Sequence, residues 1–191
     1  MIETDVFLKY LKSNDAYREQ ITHIEVIPPR IALHGNLEQP LPEILEGKLS
    51  ASKHLPLYSH QAAAVNAIRR GENAVVATTS ASGKTLCYNL PVLEAMLADK
   101  WSRAMYLFPT KALAQDQERA LRELASPEIL KSAEIATFDG DTPPAMRASI
   151  KKQAKILLTN PDMLHLGILP NHGSWARFLR HLRYVVVDEA H

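Results

Sequence analysis

From residue 56 onward, short apolar runs alternate with longer stretches whose apolar residues recur at helical spacing. Ser59 is placed to cap a helix over 60–70, and Gly71 closes it. Residues 74–78 read as a short apolar strand, and 84–97 return to helical spacing. A strand over 104–108 is stopped by Pro109, and a helix follows over 111–124. The same alternation predicts a strand at 134–138, a basic helix at 143–153 and a strand at 155–159. A helical turn at 161–166 and a final strand at 184–187 complete it. Strands alternating with helices predict an α/β fold, a mostly parallel sheet covered by helices on both faces. The strand cores are near-continuous apolar runs, as burial on two faces requires. Ligands of such sheets bind beyond the carboxyl ends of the strands.

Residues 1–54 have a different texture and read as an irregular N-terminal arm on a domain covering 55–191. Val6-Phe7-Leu8-Lys9-Tyr10-Leu11 suits one short amphipathic helix. Ile24-Glu25-Val26-Ile27 alternates like a strand until Pro28-Pro29, and Pro40 and Pro42 mark a loop. The 191 residues allow one domain plus an appendage, and 46% apolar residues suffice for a core. A net charge of +1 argues against a nucleic-acid binder that works by bulk electrostatics. The single cysteine, Cys87, excludes an intramolecular disulfide or a cysteine zinc site within these residues and reads as a small buried thiol. The eight histidines lack metal-ligand spacing. No apolar run approaches the roughly 20 residues of a membrane span. The acidic start, Met1-Ile2-Glu3-Thr4-Asp5, lacks a signal pattern, so a cytoplasmic protein without membrane contact is expected.

Two strand ends carry candidate chemistry. After the run at 74–78 come Thr79, Ser80, Ala81, Ser82, Gly83, Lys84 and Thr85. A strand, a turn of small residues and a helix opening at Lys-Thr present backbone N–H groups and a helix N-terminus to an anion. Lys84 would reach the β- and γ-phosphates of ATP, and Thr85 would bind Mg2+ through its hydroxyl. Thr78 stands where the usual pattern has its first glycine, so the strict motif fails at one position. The competing reading is a chance Gly-Lys-Thr in a loop. It loses weight because an apolar strand precedes the loop and Asp188-Glu189 ends a second apolar strand downstream. There Asp188 would hold Mg2+ and Glu189 would act as general base on the attacking water. The competing reading of that pair is an acidic turn after a strand.

The ending Asp188-Glu189-Ala190-His191, taken with the lysine loop, resembles the first RecA-like domain of the DEAD/DEAH-box superfamily 2 helicases. Tyr58-Ser59-His60-Gln61 resembles that family's glutamine motif, which reads adenine. Pro109-Thr110-Lys111-Ala112-Leu113 resembles motif Ia, and Asp139-Gly140-Asp141-Thr142 and Thr159-Asn160-Pro161-Asp162 resemble the later backbone-contacting blocks. The likeness covers residues 55–191. The wording of 57–62, 79–91 and 107–117, with Ile27-Pro28-Pro29-Arg30 in the arm, is similar to the YprA-type (MrfA-like) DNA helicases, relatives of the RecQ-four-like group.

The resemblance implies ATP-driven movement on single-stranded DNA, linked to repair. RNA, the substrate of DEAD-box relatives, is disfavoured by the histidine of Asp-Glu-Ala-His. A truncated nucleotide-binding module without motor activity is the alternative from another class. Gln61 has an amide able to bond two adenine edge positions, and Tyr58 is a stacking residue or a packing one. Pro109, Thr110, Lys111, Gly140, Thr142, Thr159 and Asn160 follow strand ends, where hydroxyls and freed N–H groups suit phosphate contacts or simply cap the strands. Lys151, Lys152 and Lys155 read as a solvated helix face. His191 couples hydrolysis to nucleic acid in the family. The family also uses an arginine from a second RecA-like domain, which these residues do not contain. A chain of these residues alone is expected to bind Mg·ATP weakly and to hydrolyse it very slowly.

Overall fold

The computed structural model describes residues 4–27, 31–78, 82–131 and 134–189. The chain divides into two compact units, Met1–Ala32 and Leu33–His191. In the first, α1 (Thr4–Lys12) buries none of its residues, and Val6, Phe7 and Tyr10 are exposed. The alternation at 24–27 forms no strand, and Val26 and Ile27 stand largely in solvent. An extended segment is stable only beside a neighbour that satisfies its N–H and C=O groups, and among the described residues none pairs with it. Residues 28–30 lie outside the described residues.

The second unit holds all four strands: β1 (Arg103–Leu107), β2 (Ile135–Thr137), β3 (Ile156–Thr159) and β4 (Leu182–Val187). They pair in the order β2-β3-β1-β4, every pair parallel. Tyr106 of β1 sits opposite Leu158 on one side and Val186 on the other. The helices are α2 (Glu43–Ala51), α3 (Ser59–Arg69), α4 (Lys84–Ala98), α5 (Lys111–Ile129), α6 (Pro144–Gln153), a short α7 (Pro161–Met163) and α8 (His172–Arg180). The period of two sorts the strand residues. Ala104, Tyr106, Ile156 and Leu158 pack with Val92, Leu93 and Met96 of α4 and Leu121 and Ala125 of α5. Met105, Leu107 and Leu157 face the other way, onto Ile150 of α6 and Trp175 and Phe178 of α8. A third cluster joins Leu49 of α2, Val65 of α3 and Leu90 of α4. The predicted parallel sheet with helices on both faces is thus the fold.

Several expectations need correction. Residues 74–78 are unpaired, and Val75 is 97% exposed. A parallel strand gains most of its stability between two neighbours. Within the described residues the sheet ends on β2 and on β4, and 74–78 pairs with neither. The cap of α3 is Tyr58, one residue before Ser59. Here Gln61 reaches back to accept the Tyr58 N–H at 2.9 Å, so the amide and not a serine hydroxyl starts the helix. α5 continues to Ile129, through Pro127, because Ile129 and Leu130 are buried in the core. The turn at 161–166 is a short α-helix that widens into a π-helical turn, Leu164–Ile168. Two helices have no counterpart in the sequence pattern. Pro42, expected in a loop, leads directly into α2, whose Leu45 and Leu49 are fully buried. α8 is masked by polar residues, yet Trp175 and Phe178 at i and i+3 are buried, with Trp175 edge-on to Phe138 at 4.8 Å. Lys155 is not solvated either: it pairs with Glu134 at 3.0 Å, and its side chain is 14% exposed.

Leu158 is wholly buried in the middle of the sheet, so Leu158→Ala should lower stability by about 2–5 kcal/mol in urea denaturation. Val185→Thr, on the exposed outer strand, should change it by less than about 0.5 kcal/mol.

Candidate functional site

Parallel pairing brings the ends of all four strands to one edge. In sheet order the following segments are 138–142, 159–160, 108–111 and 188–189. The N-terminus of α4 is tied to the start of α3 near this edge. Gly83 caps α4 with φ +77, the left-handed region that suits glycine. The Gln61 amide, 2% exposed, donates from Nε2 to the Gly83 carbonyl at 3.0 Å while its Oε1 holds the Tyr58 N–H. His60 Nε2 meets the Ser82 carbonyl at 3.0 Å, and the Thr78 and Ser82 hydroxyls are 2.6 Å apart. A Cβ at position 83 would lie 2.5 Å from Gln61 Nε2. Two side chains of α3 thus hold carbonyls of the lysine loop, and Gln61 spends one N–H and one oxygen lone pair inside the protein. Thr79, Ser80 and Ala81 lie outside the described residues, as do Ala190 and His191.

Lys84 is half-buried and has no ion pair among the described residues, so its charge is not consumed. Tyr88, one turn further along α4, brings the two motifs together. Its hydroxyl lies 3.4 Å from Asp188 Oδ2 and 3.4 Å from Gln117 Oε1, and Thr85 precedes it by three residues on the same helix. Burial, reinforced by the Asp188 carboxylate, holds the Tyr88 phenol well above its usual range, so it stays protonated and can donate. Tyr88 carries no motif of its own; its one signal in the sequence is the i+3 spacing from Thr85 on one helix face. The Asp188 N–H extends the β1–β4 ladder onto the Leu107 carbonyl at 3.1 Å, which fixes the carboxylate at the strand end. Asp188 Oδ1 accepts the Glu189 N–H at 3.0 Å. Glu189 is exposed and has φ +53, a left-handed turn that costs a non-glycine residue about 1–3 kcal/mol.

A cavity of about 800 Å³ opens beside this junction, lined among others by Tyr58, Gln61, Gly83, Thr85, Asn89 and Gln117. Tyr58 is 41% exposed and stacks on His34 and on His60, with ring centroids 5.5 and 5.8 Å away. The volume falls within the usual range of small-molecule sites.

The strand-contact candidates divide into two groups. Pro109, Thr110, Lys111 and Gly140 are exposed, with Lys111 ion-paired to Asp141. Thr110 Oγ1 accepts the Leu113 N–H at 3.3 Å at the start of α5. Thr142 and Thr159 instead turn inward. Thr142 Oγ1 accepts the Asp139 N–H at 2.9 Å, and the Thr159 hydroxyl donates to the Phe138 carbonyl at 2.6 Å. Asn160 is half-buried and caps α7 by accepting the Met163 N–H at 2.7 Å. These three side chains shape the edge, and the Thr142 N–H is itself held by the Asp139 carbonyl at 3.3 Å.

Three measurements follow from this geometry. Gln61→Ala strands the Tyr58 N–H and the Gly83 carbonyl and should cost about 1–3 kcal/mol in urea denaturation. Gly83→Ala should destabilise the protein through its φ and through the clash with Gln61. In the Gln61→Ala background only the φ penalty remains, so the two costs should be sub-additive in a double-mutant cycle. Cys87, 2% exposed as expected of a packed thiol, is pushed by burial from 9.0 to about 11. It should react with a disulfide reagent near neutral pH only after unfolding. Between 9.0 and about 11 the unfolded thiol ionises while the folded one keeps its proton, so its stabilising contribution falls as pH rises. Cys87→Ala should remove that part of the pH dependence.

Comparisons with known proteins agree with this layout. A DEAD/DEAH box helicase family model matches residues 58–191. The chain is 48% identical over 187 residues to the ATP-dependent helicase HRQ1 of Saccharomyces cerevisiae, a match covering 96% of this chain and 17% of that protein. It is 44% identical over 173 residues to the ATP-dependent helicase YprA of Bacillus subtilis, covering 91% of this chain and 23% of that one. The crystal structure of the DUF1998 helicase MrfA bound to DNA and AMPPNP superposes with a TM-score of 0.79 at 45% identity, covering 84% of this chain and 22% of the other. The chain therefore spans only about a fifth of the length of these relatives. It shares the RecA-like fold of its structural neighbours. The match includes both the lysine loop and the carboxylate pair, and the chain belongs to the DEAD/DEAH box helicase family.

Proposed function

We propose that residues 55–191 are the first RecA-like, ATP-binding lobe of an ATP-dependent helicase that moves along single-stranded DNA, and that residues 1–54 are an accessory arm. The observation that carries this reading is the 3.4 Å approach of the Tyr88 hydroxyl to Asp188 Oδ2, three residues along α4 from Thr85. It joins the helix that opens on Lys84 to the strand that ends in Asp188. DNA is preferred over RNA because a structural neighbour at 45% identity is described as bound to DNA.

Mg2+ fits the donors present. It takes oxygen ligands and commonly uses one or two carboxylates beside substrate phosphates, and here the Tyr88–Asp188 contact brings a carboxylate to the helix that carries Thr85. Thr85 and Asp188 would hold it. Bound there, it would neutralise charge on the terminal phosphates. Lys84 contributes an unpaired cation to the same phosphates, and the loop from Thr79 to Gly83 contributes backbone N–H groups. Glu189 takes the proton of the attacking water. Protonated Tyr88 holds Asp188 in place and cannot compete with it as an anion. Tyr58 and Gln61 border the cavity suited to the adenine, and the second N–H and second lone pair of the Gln61 amide would read the base. Pro109, Thr110, Lys111 and Gly140, with the backbone at Thr142, Thr159 and Asn160, would form the track for single-stranded DNA. A second RecA-like domain would complete the site with an arginine, which is worth about 10³–10⁵ in rate.

For the 191-residue chain, Mg·ATP should raise the melting temperature slightly, with only slow hydrolysis. Lys84→Ala should melt normally in the absence of nucleotide and lose that shift. Tyr88→Phe should keep the fold and weaken the dependence of the shift on Mg2+. A Lys84→Ala variant that fails to fold would overturn the assignment of Lys84 to phosphate. In a complete protein, ATP hydrolysis should rise with single-stranded DNA and much less with RNA of the same length; the reverse preference would overturn the DNA reading.

A further inference from the structure

The edge of the sheet opposite the nucleotide site carries a second concavity, of about 630 Å³. It is lined by the start of β1, the residue before β3 and the last turns of α5 and α6. Six cations line it: Lys100, Arg103, Lys131, Lys152, Lys155 and Arg177. Only two carboxylates, Glu128 and Glu134, join them. The local excess is four positive charges in a chain whose net charge is +1, so the remaining residues are net negative. The charge of this chain is modest in total and strongly uneven in placement.

Not all six cations are available. Lys155 is paired with Glu134, and the Arg103 guanidinium is 3.3, 3.1 and 2.9 Å from the carbonyls of Lys100, Trp101 and Ser102. Lys100, Lys131, Lys152 and Arg177 are exposed and have no ion pair among the described residues. The two helix ends that line the concavity offset about one charge between them. A surplus remains. At the rim stands Trp101, 46% exposed, with Lys100 Nζ 5.7 Å and Arg177 Cζ 5.8 Å from its ring.

We propose that this concavity is a second contact for single-stranded nucleic acid, with the four unpaired cations on phosphates and Trp101 against a base. Proteins that bind single strands without sequence preference combine a positive groove with an exposed aromatic. Trp101 stacks on His181 with ring centroids 5.4 Å apart and is 46% exposed, so a base can add to the stack where an acidic side chain cannot. The site lies at the amino ends of the strands, separate from Lys84 and from the Lys111 edge, and does not depend on the function proposed above.

The two tryptophans make the test direct, because Trp175 is fully buried and Trp101 is not. An oligothymidylate of about 12 nucleotides should quench the fluorescence of the 191-residue chain, and Trp101→Phe should abolish the quench. Lys131→Glu combined with Lys152→Glu should weaken binding about tenfold and lower the salt slope by about 1.4, the value for two lost phosphate contacts. Arg119→Glu, at an exposed cation of α5 outside both surfaces, should leave the quench unchanged. If the reversed pair does not fold by circular dichroism, Lys131→Gln with Lys152→Gln reads the same slope. The proposal is overturned by the absence of a Trp101 quench, or by binding that Lys111→Glu removes and the lysine pair does not. It is also overturned if oligoglutamate quenches Trp101 and displaces the oligonucleotide at equal concentration, which would assign the surface to an acidic protein segment.

Discussion

Everything in the larger unit hangs on β1 being hydrogen-bonded on both sides, to β3 and to β4, with all strands parallel. A parallel neighbour cannot be reached by a tight turn; each return needs a crossover, and the crossovers here are the helices. Burial of β1 and β3 on both faces then demands apolar runs, and the helices supply the two covering layers. The arrangement also sends every strand end to one edge. Asp188 arrives beside α4 because β4 is locked to β1 by the ladder that ends on the Asp188 N–H. The chemistry of the edge is thus a by-product of strand direction.

Much of this was legible in the sequence because burial on both faces leaves a signal that reads the same in any context. The runs at 104–108 and 155–159 could be little else. The segment at 74–78 carries the same signal and is unpaired, since pairing depends on a neighbour and not on composition. α8 shows the opposite failure. Two aromatic residues hold it down, too few to stand out among its polar residues.

The candidate site was legible at the level of residue type and less so at the level of orientation. The lysine loop and the carboxylates announce their chemistry by identity. Thr142 and Thr159 looked equally suited to a ligand, but each hydroxyl closes a local bond, and a sequence does not say which way a threonine turns. Tyr88 was hidden for the converse reason: a tyrosine within an apolar helix looks like packing, and only the fold brings Asp188 to its hydroxyl.

The strand order has a consequence for how the chain is made. β1 has β3 and β4 as neighbours, and both come later in the sequence. During synthesis from the amino terminus, β1 therefore emerges with both edges open and keeps one open until β4 has left the ribosome. All five of its residues are buried once folded, so the nascent chain carries an unpaired, aggregation-prone strand until Val187 has emerged. The interval is set by topology alone. No change in the stability of the finished sheet would shorten it, whereas slower translation past β1 would lengthen the exposure that chaperones must cover.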